Sequence, residues 1–215
     1  IIRENNDYVH FVSGAPEGLA RQGSHRHLDM LSVTVSIDSM DLIHDGGTGR
    51  YFGDKRMRDI FRSEQCHSGI SCRTNNWATI SGPFEITKPP IGIFTENENG
   101  VEISCRHPSG GKATRAIDLS EGSVMLTDNL SLESPVVRFI VKEEGSEKID
   151  GEKWKMVFNE WIIEHQPIPE RVTCIPYKAV DNPRLSIEYG IFDDCFILEF
   201  GHKKGTIAKT SIFRR

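Results

Sequence analysis

Two histidines and an aspartate alternate in the run Ser24-His25-Arg26-His27-Leu28-Asp29, directly ahead of an apolar/polar alternation that begins at Leu31. If extended chain runs back from Met30, then His25, His27 and Asp29 project to one side, with Arg26 and Leu28 on the other. Imidazoles on one face suit a metal ion or an anionic ligand. They equally suit a polar sheet edge where each finds an ordinary hydrogen bond. His-x-His supplies two ligands at most, so a metal needs others from elsewhere in the chain. Two later stretches offer them. In LIHDGGTGRYF, Asp45 ends a short apolar strand, and Gly46 and Gly47 behind it let the backbone turn sharply and approach another group. In RDIFRSEQCHSGIS, His67 stands just before the next strand. His27, Asp45 and His67, separated by 18 and 22 residues, are the ligand types zinc favours, with water able to complete four-coordination. Such spacings are compatible with adjacent strands but do not by themselves demand a site. His44 is a nearby imidazole expected to point away from Asp45, and Cys66 is expected to be a buried thiol.

Cations gather next to these residues. GDKRMRDIFR places Lys55, Arg56, Arg58 and Arg62 close together in a chain whose formal net charge is −5. That is a local attraction for carboxylate or sulfate, or else simply a solvated helix face. Tyr51 either lines a cleft or packs in the turn. Trp77, Trp154 and Trp161 could stack on sugar rings, although large aromatics in strands more often belong to a core. No G-x-S-x-G elbow occurs and the glycine-rich GGTGRYFG lacks the Lys-Ser/Thr step of a P-loop, so hydrolytic and nucleotide readings find no support.

The elements that must position these groups are strands. Leu31, Val33, Val35 and Ile37 fall on one face and Ser32, Thr34 and Ser36 on the other, the period of a half-buried antiparallel strand. Similar patterns predict strands near 8–12, 30–37, 41–44, 69–72, 77–81, 101–106, 114–118, 123–127, 136–142, 156–164, 171–177, 185–189, 195–200 and 206–213. One short helix is expected in DKRMRDIFR, capped by Asp54, with Met57, Ile60 and Phe61 on its inner face. A dozen or more strands and almost no helix predict an all-β, two-sheet antiparallel sandwich. The 215 residues are expected to form one domain, with 142–153 as a charged hairpin loop. Composition is ordinary, 37% hydrophobic and 27% charged, and the negative balance argues against a nucleic-acid partner bound through a broad basic surface. No apolar run approaches the roughly 20 residues that span a bilayer, and no signal peptide is recognisable. Five cysteines without a CxxC spacing fit neither a disulfide framework nor a zinc knuckle, and an odd number leaves at least one thiol free.

The stretch 24–70 resembles the C-terminal β-sandwich domain of the heparinase II/III-like polysaccharide lyases. That family's pattern runs G-H-x-H-x-D-x-L-S and a strand, then D-x-G-T, then R-S-x-x-x-H. The matches here are His25, His27, Asp29, Leu31 and Ser32, then Asp45, Gly47 and Thr48, then Arg62, Ser63 and His67. Weaker echoes follow in ATRAIDLSEGSVMLTDNL and SIEYGIFDDCFILEF, so the likeness covers most of the chain. Ser24 replaces the usual glycine and Gly46 stands where Pro or Cys is frequent; neither change removes a ligand. The resemblance implies that His27, Asp45 and His67 bind one divalent metal, usually zinc and mainly structural. It implies that His25 contacts the uronate or assists catalysis, and that Arg62 lies beside the site. Arg58, from the cation cluster, and Tyr51, from its place after the glycines, are further candidate substrate contacts.

What the likeness implies about function is one wall of a lyase cleft, acting on a glycosaminoglycan or other uronic-acid glycan by β-elimination. The family's acid and base residues sit mostly on an N-terminal helical toroid with no counterpart in these residues, so the isolated chain is expected to be inactive. A chain that starts Ile1-Ile2-Arg3 fits a portion of something longer. The alternative is a non-catalytic carbohydrate-binding or structural module that keeps the fold and the metal. Family members are commonly periplasmic or secreted, and that is the expected location.

Overall fold

The structure is a computed structural model; it describes residues 1–12, 26–50, 52–87, 90–97, 100–179, 184–188 and 190–215. Among these, antiparallel strands dominate and the helix Lys55–Arg62 is the one α-helix. The expected all-β sandwich is what forms. One layer is an eight-stranded sheet in the order Ser146–Asp150, Lys153–Val157, Trp161–Gln166, Thr206–Arg214, Ser123–Leu130, Lys112–Ser120, Gly100–Arg106 and Gly92–Asn97. The other comprises two four-stranded sheets. The first runs Ile2–Glu4, Asp7–Phe11, Val33–Ile37, Met40–Ile43; the second runs Arg171–Tyr177, Cys195–Gly201, Pro135–Val141, Ile70–Cys72. They are stitched where the His44 N–H donates to the Ile140 carbonyl at 2.9 Å.

Side-chain alternation decides which face is buried. Along Ser123–Leu130 the inward residues Val124, Leu126, Asp128 and Leu130 are buried while Met125 and Asn129 are exposed. Pro135–Val141 is buried at every position, because both of its faces are covered. Its inner face joins the main core through Val137, Phe139 and Val141. Its outer face packs in a smaller cluster of Ile140, Leu185, Cys195 and Ile197, under the hairpin Leu185–Glu188/Ile191–Asp193. All three tryptophans are core residues, and all five cysteines are free, Cys174 alone exposed.

Several expected elements differ in detail. The stretch 156–164 is two strands, Lys153–Val157 and Trp161–Gln166, because the chain turns back after Phe158, whose ring stacks on Trp161 at 3.9 Å. The charged segment 142–153 does form a hairpin, with Ser146–Asp150 paired to Lys153–Val157. Asp54 caps the helix as expected, its carboxylate accepting the Met57 N–H at 3.0 Å. The inner face is Arg58, Phe61 and Arg62, with Met57 and Ile60 only partly buried. The strand does not extend back to residue 25: it begins at Val33, and residues 26–32 form an irregular segment in which Leu31 has φ of 60°.

Candidate functional site

The segment 26–32, the loop after Met40–Ile43 and the turn after the helix meet at one end of the sandwich. Their meeting depends on two close backbone approaches. The Gly46 N–H donates to the Cys66 carbonyl at 2.8 Å, and a Cβ on Gly46 would lie 2.1 Å from that oxygen. The Gly46 carbonyl in turn accepts the Ser186 N–H at 2.8 Å, and Gly47, at φ +74°, leaves only 2.3 Å between a Cβ position and the Ser186 carbonyl. The glycines therefore let Asp45 sit directly against the turn that carries His67.

His67 Nδ1 lies 2.7 Å from Asp45 Oδ2, while Asp45 Oδ1 accepts the Gly47 N–H at 2.9 Å. The His67 ring is 2% exposed, and a backbone contact to Phe61 adds to that of Asp45 in favouring its charged form. The His27 ring stands 5.2 Å from the His67 ring, centroid to centroid. Burial drives His27 down to about 3, and a charged His67 beside it acts in the same direction, so His27 is a neutral imidazole. For His67 burial also opposes charge, but the Asp45 carboxylate, with Asp29 and the Phe61 backbone, outweighs it and the net direction is up. The reciprocal holds at Asp45, where burial raises the carboxyl but His67, with the Gly47 N–H and His27, outweighs it and the net direction is down. Asp29 adds negative potential at His67, and its own carboxyl is raised, chiefly by burial. Cys66 is fully buried with its thiol pushed up to about 12 by desolvation, the state of an inert core cysteine.

The sequence-derived set is thus partly assembled. His27, Asp45 and His67 come together, although among the described residues no three His, Cys, Asp or Glu side chains converge into a ready metal cage. His25 and Tyr51 lie outside the described residues. Arg58 points its guanidinium at Asp59, 3.1 Å away, and is largely buried. Arg62 is 1% exposed, and it donates to the carbonyls of Arg26, Gly82 and Pro83. Two contributors had no signal in the residue pattern. One is Glu64, pushed up to about 7 by burial beside this turn; the other is the Ser186 backbone that clamps Gly46 and Gly47.

A family profile described as "Heparinase II/III-like, C-terminal" matches residues 1–139. The chain belongs to the heparinase II/III-like family. A search of the curated proteins found no match. Among solved structures, the chain is similar to the heparan sulfate lyase HepC from Pedobacter heparinus, with TM-score 0.63 and 14% identity over 97% of this chain and 33% of that one. It is also similar to a heparinase III, the BT4657 gene product with methylated lysines, with TM-score 0.66 and 15% identity over 97% of this chain and 32% of that one. At such identity these likenesses speak for the fold. This heparinase-like chain spans about a third of the length of the lyases it superposes on. Among its described residues no helix is long and apolar enough to cross a membrane.

Proposed function

We propose that this chain is the β-sandwich part of a polysaccharide lyase that cleaves a uronic-acid glycan of the glycosaminoglycan type by β-elimination. In this reading His27, Asp45 and His67 hold a divalent metal of the zinc type. The observation that carries it is the approach of His67 Nδ1 to Asp45 Oδ2 at 2.7 Å, an edge where an ion would take the place of the shared proton, with the His27 ring 5.2 Å from His67. The donor chemistry fits: two imidazoles, one of them held neutral, and a carboxylate held ionised are what such an ion takes. A bound ion would tie the segment leading into Val33–Ile37 and the loop after Met40–Ile43, which flank neighbouring strands of one sheet, to the turn after the helix.

The chain's own residues do the rest. Gly46 and Gly47 bring Asp45 to His67. His25, two residues before His27, is proposed to face the substrate, where it would contact the uronate or move a proton. β-Elimination removes the proton α to the carboxylate and protonates the leaving oxygen, which requires an acid and a base with tuned pKa values. Those are assigned to a helical toroid on the same full-length protein, and the location is proposed as periplasmic or secreted.

Elemental mass spectrometry of the purified, never-chelated chain, beside a His27→Ala variant, tests the reading. About one zinc per chain, lost in the variant, supports it. A metal-free wild-type chain that folds equally well with and without chelator overturns it.

A further inference from the structure

We propose that Arg62 is a positioning residue: it holds His27 against the Asp45–His67 pair by bonding to the peptide groups on both sides of His27. On the N-terminal side, Arg62 Nε donates to the Arg26 carbonyl at 3.2 Å. On the C-terminal side, the Leu28 N–H donates to the Arg62 carbonyl at 2.8 Å. The guanidinium also reaches the turn of the hairpin Thr79–Gly82/Glu85–Thr87, where Nη1 donates to the Gly82 carbonyl at 2.6 Å and the Pro83 carbonyl at 3.0 Å. Arg62, through its buried side chain and its own backbone, thus brackets His27 and ties it to that hairpin.

Local structure makes this bracket necessary. Residues 26–32 belong to no strand, so no ladder of hydrogen bonds sets where His27 lies. The later part of the segment is held separately. The Leu31 N–H donates to Val12, the Ser32 N–H to Asp29, and the buried Arg115 donates to the Leu31 carbonyl at 2.7 Å. Arg62 is also the last residue of the helix, and five residues on, through a short 3-10 turn at Glu64–Cys66, the chain reaches His67. The same helix end therefore places both imidazoles: His67 through the chain itself, and His27 through the guanidinium. Only arginine offers a planar fork that can serve Arg26 with one nitrogen and the Gly82–Pro83 turn with another; lysine, with a single ammonium, cannot span both.

The assignment rests on the proposal that His27 works with Asp45 and His67, and its test separates the two. In the 215-residue chain, Arg62→Lys and Arg62→Met are compared with wild type and with Ile163→Ala, which opens a cavity in the eight-stranded sheet and so lowers stability without touching the bracket. Zinc affinity is read by competition with a chromophoric chelator. Proximity of the His27 and His67 rings is read by NMR. Protection of the Leu28 amide, whose acceptor is the backbone carbonyl of residue 62 and survives substitution there, is followed by hydrogen exchange to show that the segment stays folded. The expected result is a 10- to 100-fold loss of zinc affinity in both Arg62 variants, the size seen for residues that orient ligands. The ring contact should be lost with it, while Ile163→Ala retains both. If Arg62→Met does not fold, Arg62→Lys decides alone. Wild-type affinity and ring contact in folded Arg62→Lys would overturn the assignment. Should the wild-type chain bind no zinc, the metal reading fails, and the ring measurement still decides the role of Arg62.

Discussion

Arg115 and Asp128 face each other across adjacent antiparallel strands and form a two-pronged ion pair, Nε to Oδ1 at 2.7 Å and Nη2 to Oδ2 at 2.8 Å, with neither side chain exposed to solvent. Arg115 also reaches out of its sheet to the Leu31 carbonyl at 2.7 Å, so the pair links the two layers of the sandwich at the base of the segment that carries His27. A buried pair of this kind is expensive to break from one side, because the surviving partner keeps its charge without compensation. Arg115→Met is therefore expected to destabilise the fold by about 3–5 kcal/mol, measured by urea unfolding. The double variant Arg115→Met/Asp128→Leu should recover much of that loss. A double variant no more stable than the single one would show that the Leu31 contact, rather than the ion pair, carries the effect.

The glycine at position 46 gives a second expectation. Any Cβ there meets the Cys66 carbonyl at 2.1 Å and the Arg184 carbonyl at 2.9 Å, both backbone atoms that cannot swing aside. Gly46→Ala should lower stability by on the order of 2 kcal/mol or more, and separate Asp45 from His67. Gly53→Ala is a demanding comparison, since Gly53 has open space but φ of +91°, so it tests strain without collision. If Gly46→Ala unfolds at the wild-type urea concentration with the His67–Asp45 hydrogen bond intact by NMR, the close approach does not hold the site together.

How much of this was readable from the residues varies with how local the cause is. Strands such as Ser123–Leu130 were legible because burial on one face imposes a period of two. Ser146–Asp150 carries no such signal, being exposed at every position, and its pairing partner alone makes it a strand. The grouping of His27, Asp45 and His67 was legible from residue type and order, but the extended backbone invoked for it was not what forms. Leu31 at φ of 60° breaks any strand there, and the conformation is set by Arg62 and Arg115, which lie 31 and 84 residues further along the chain. The helix face was misjudged for a related reason. A pattern of hydrophobic spacing favours Met57 and Ile60, whereas the buried positions are Arg58, Phe61 and Arg62. Arg62 can be buried there because backbone carbonyls accept its protons, and hydropathy has no knowledge of them.

Glu64 supplies a pH dependence with a definite sign. Burial raises its carboxyl from 4.5 to about 7, against the opposing pull of the Trp77 N–H that it accepts and of Arg138. The folded state therefore favours the protonated acid. Its contribution is fully present below the unfolded value near 4.5 and is lost as pH rises through about 7. Over that window stability should fall by at most about 1.4 kcal/mol per pH unit from this group. Glu64→Gln, which cannot ionise, should remove the decline, as followed by urea unfolding at intervals between pH 4.5 and 7.5. A decline of unchanged steepness in Glu64→Gln would assign it elsewhere.

The interior histidines act in the opposite sense. His165 and His202 are both buried, with Nε2 atoms 2.8 Å apart, and His165 Nδ1 is 2.8 Å from the Thr210 hydroxyl. Two ring nitrogens at that distance share one proton, so protonating both rings breaks the contact. Burial lowers each imidazole, most strongly His165, where a charged His202 and Arg115 add to the effect. Stability from these groups is present above the unfolded value near 6.5 and is lost as pH falls below it, because the unfolded chain then takes up protons that the folded pair refuses. Between pH 4.5 and 6.5 this opposes the contribution of Glu64, so the wild-type decline is shallower there than Glu64 alone would give. In a Glu64→Gln background the acid limb should stand out as a steady loss of stability below pH 6.5, and adding His165→Gln should flatten it. An acid limb untouched by His165→Gln would mean that the folded pair accepts protons as readily as the unfolded chain does, and that the 2.8 Å contact rearranges at little expense.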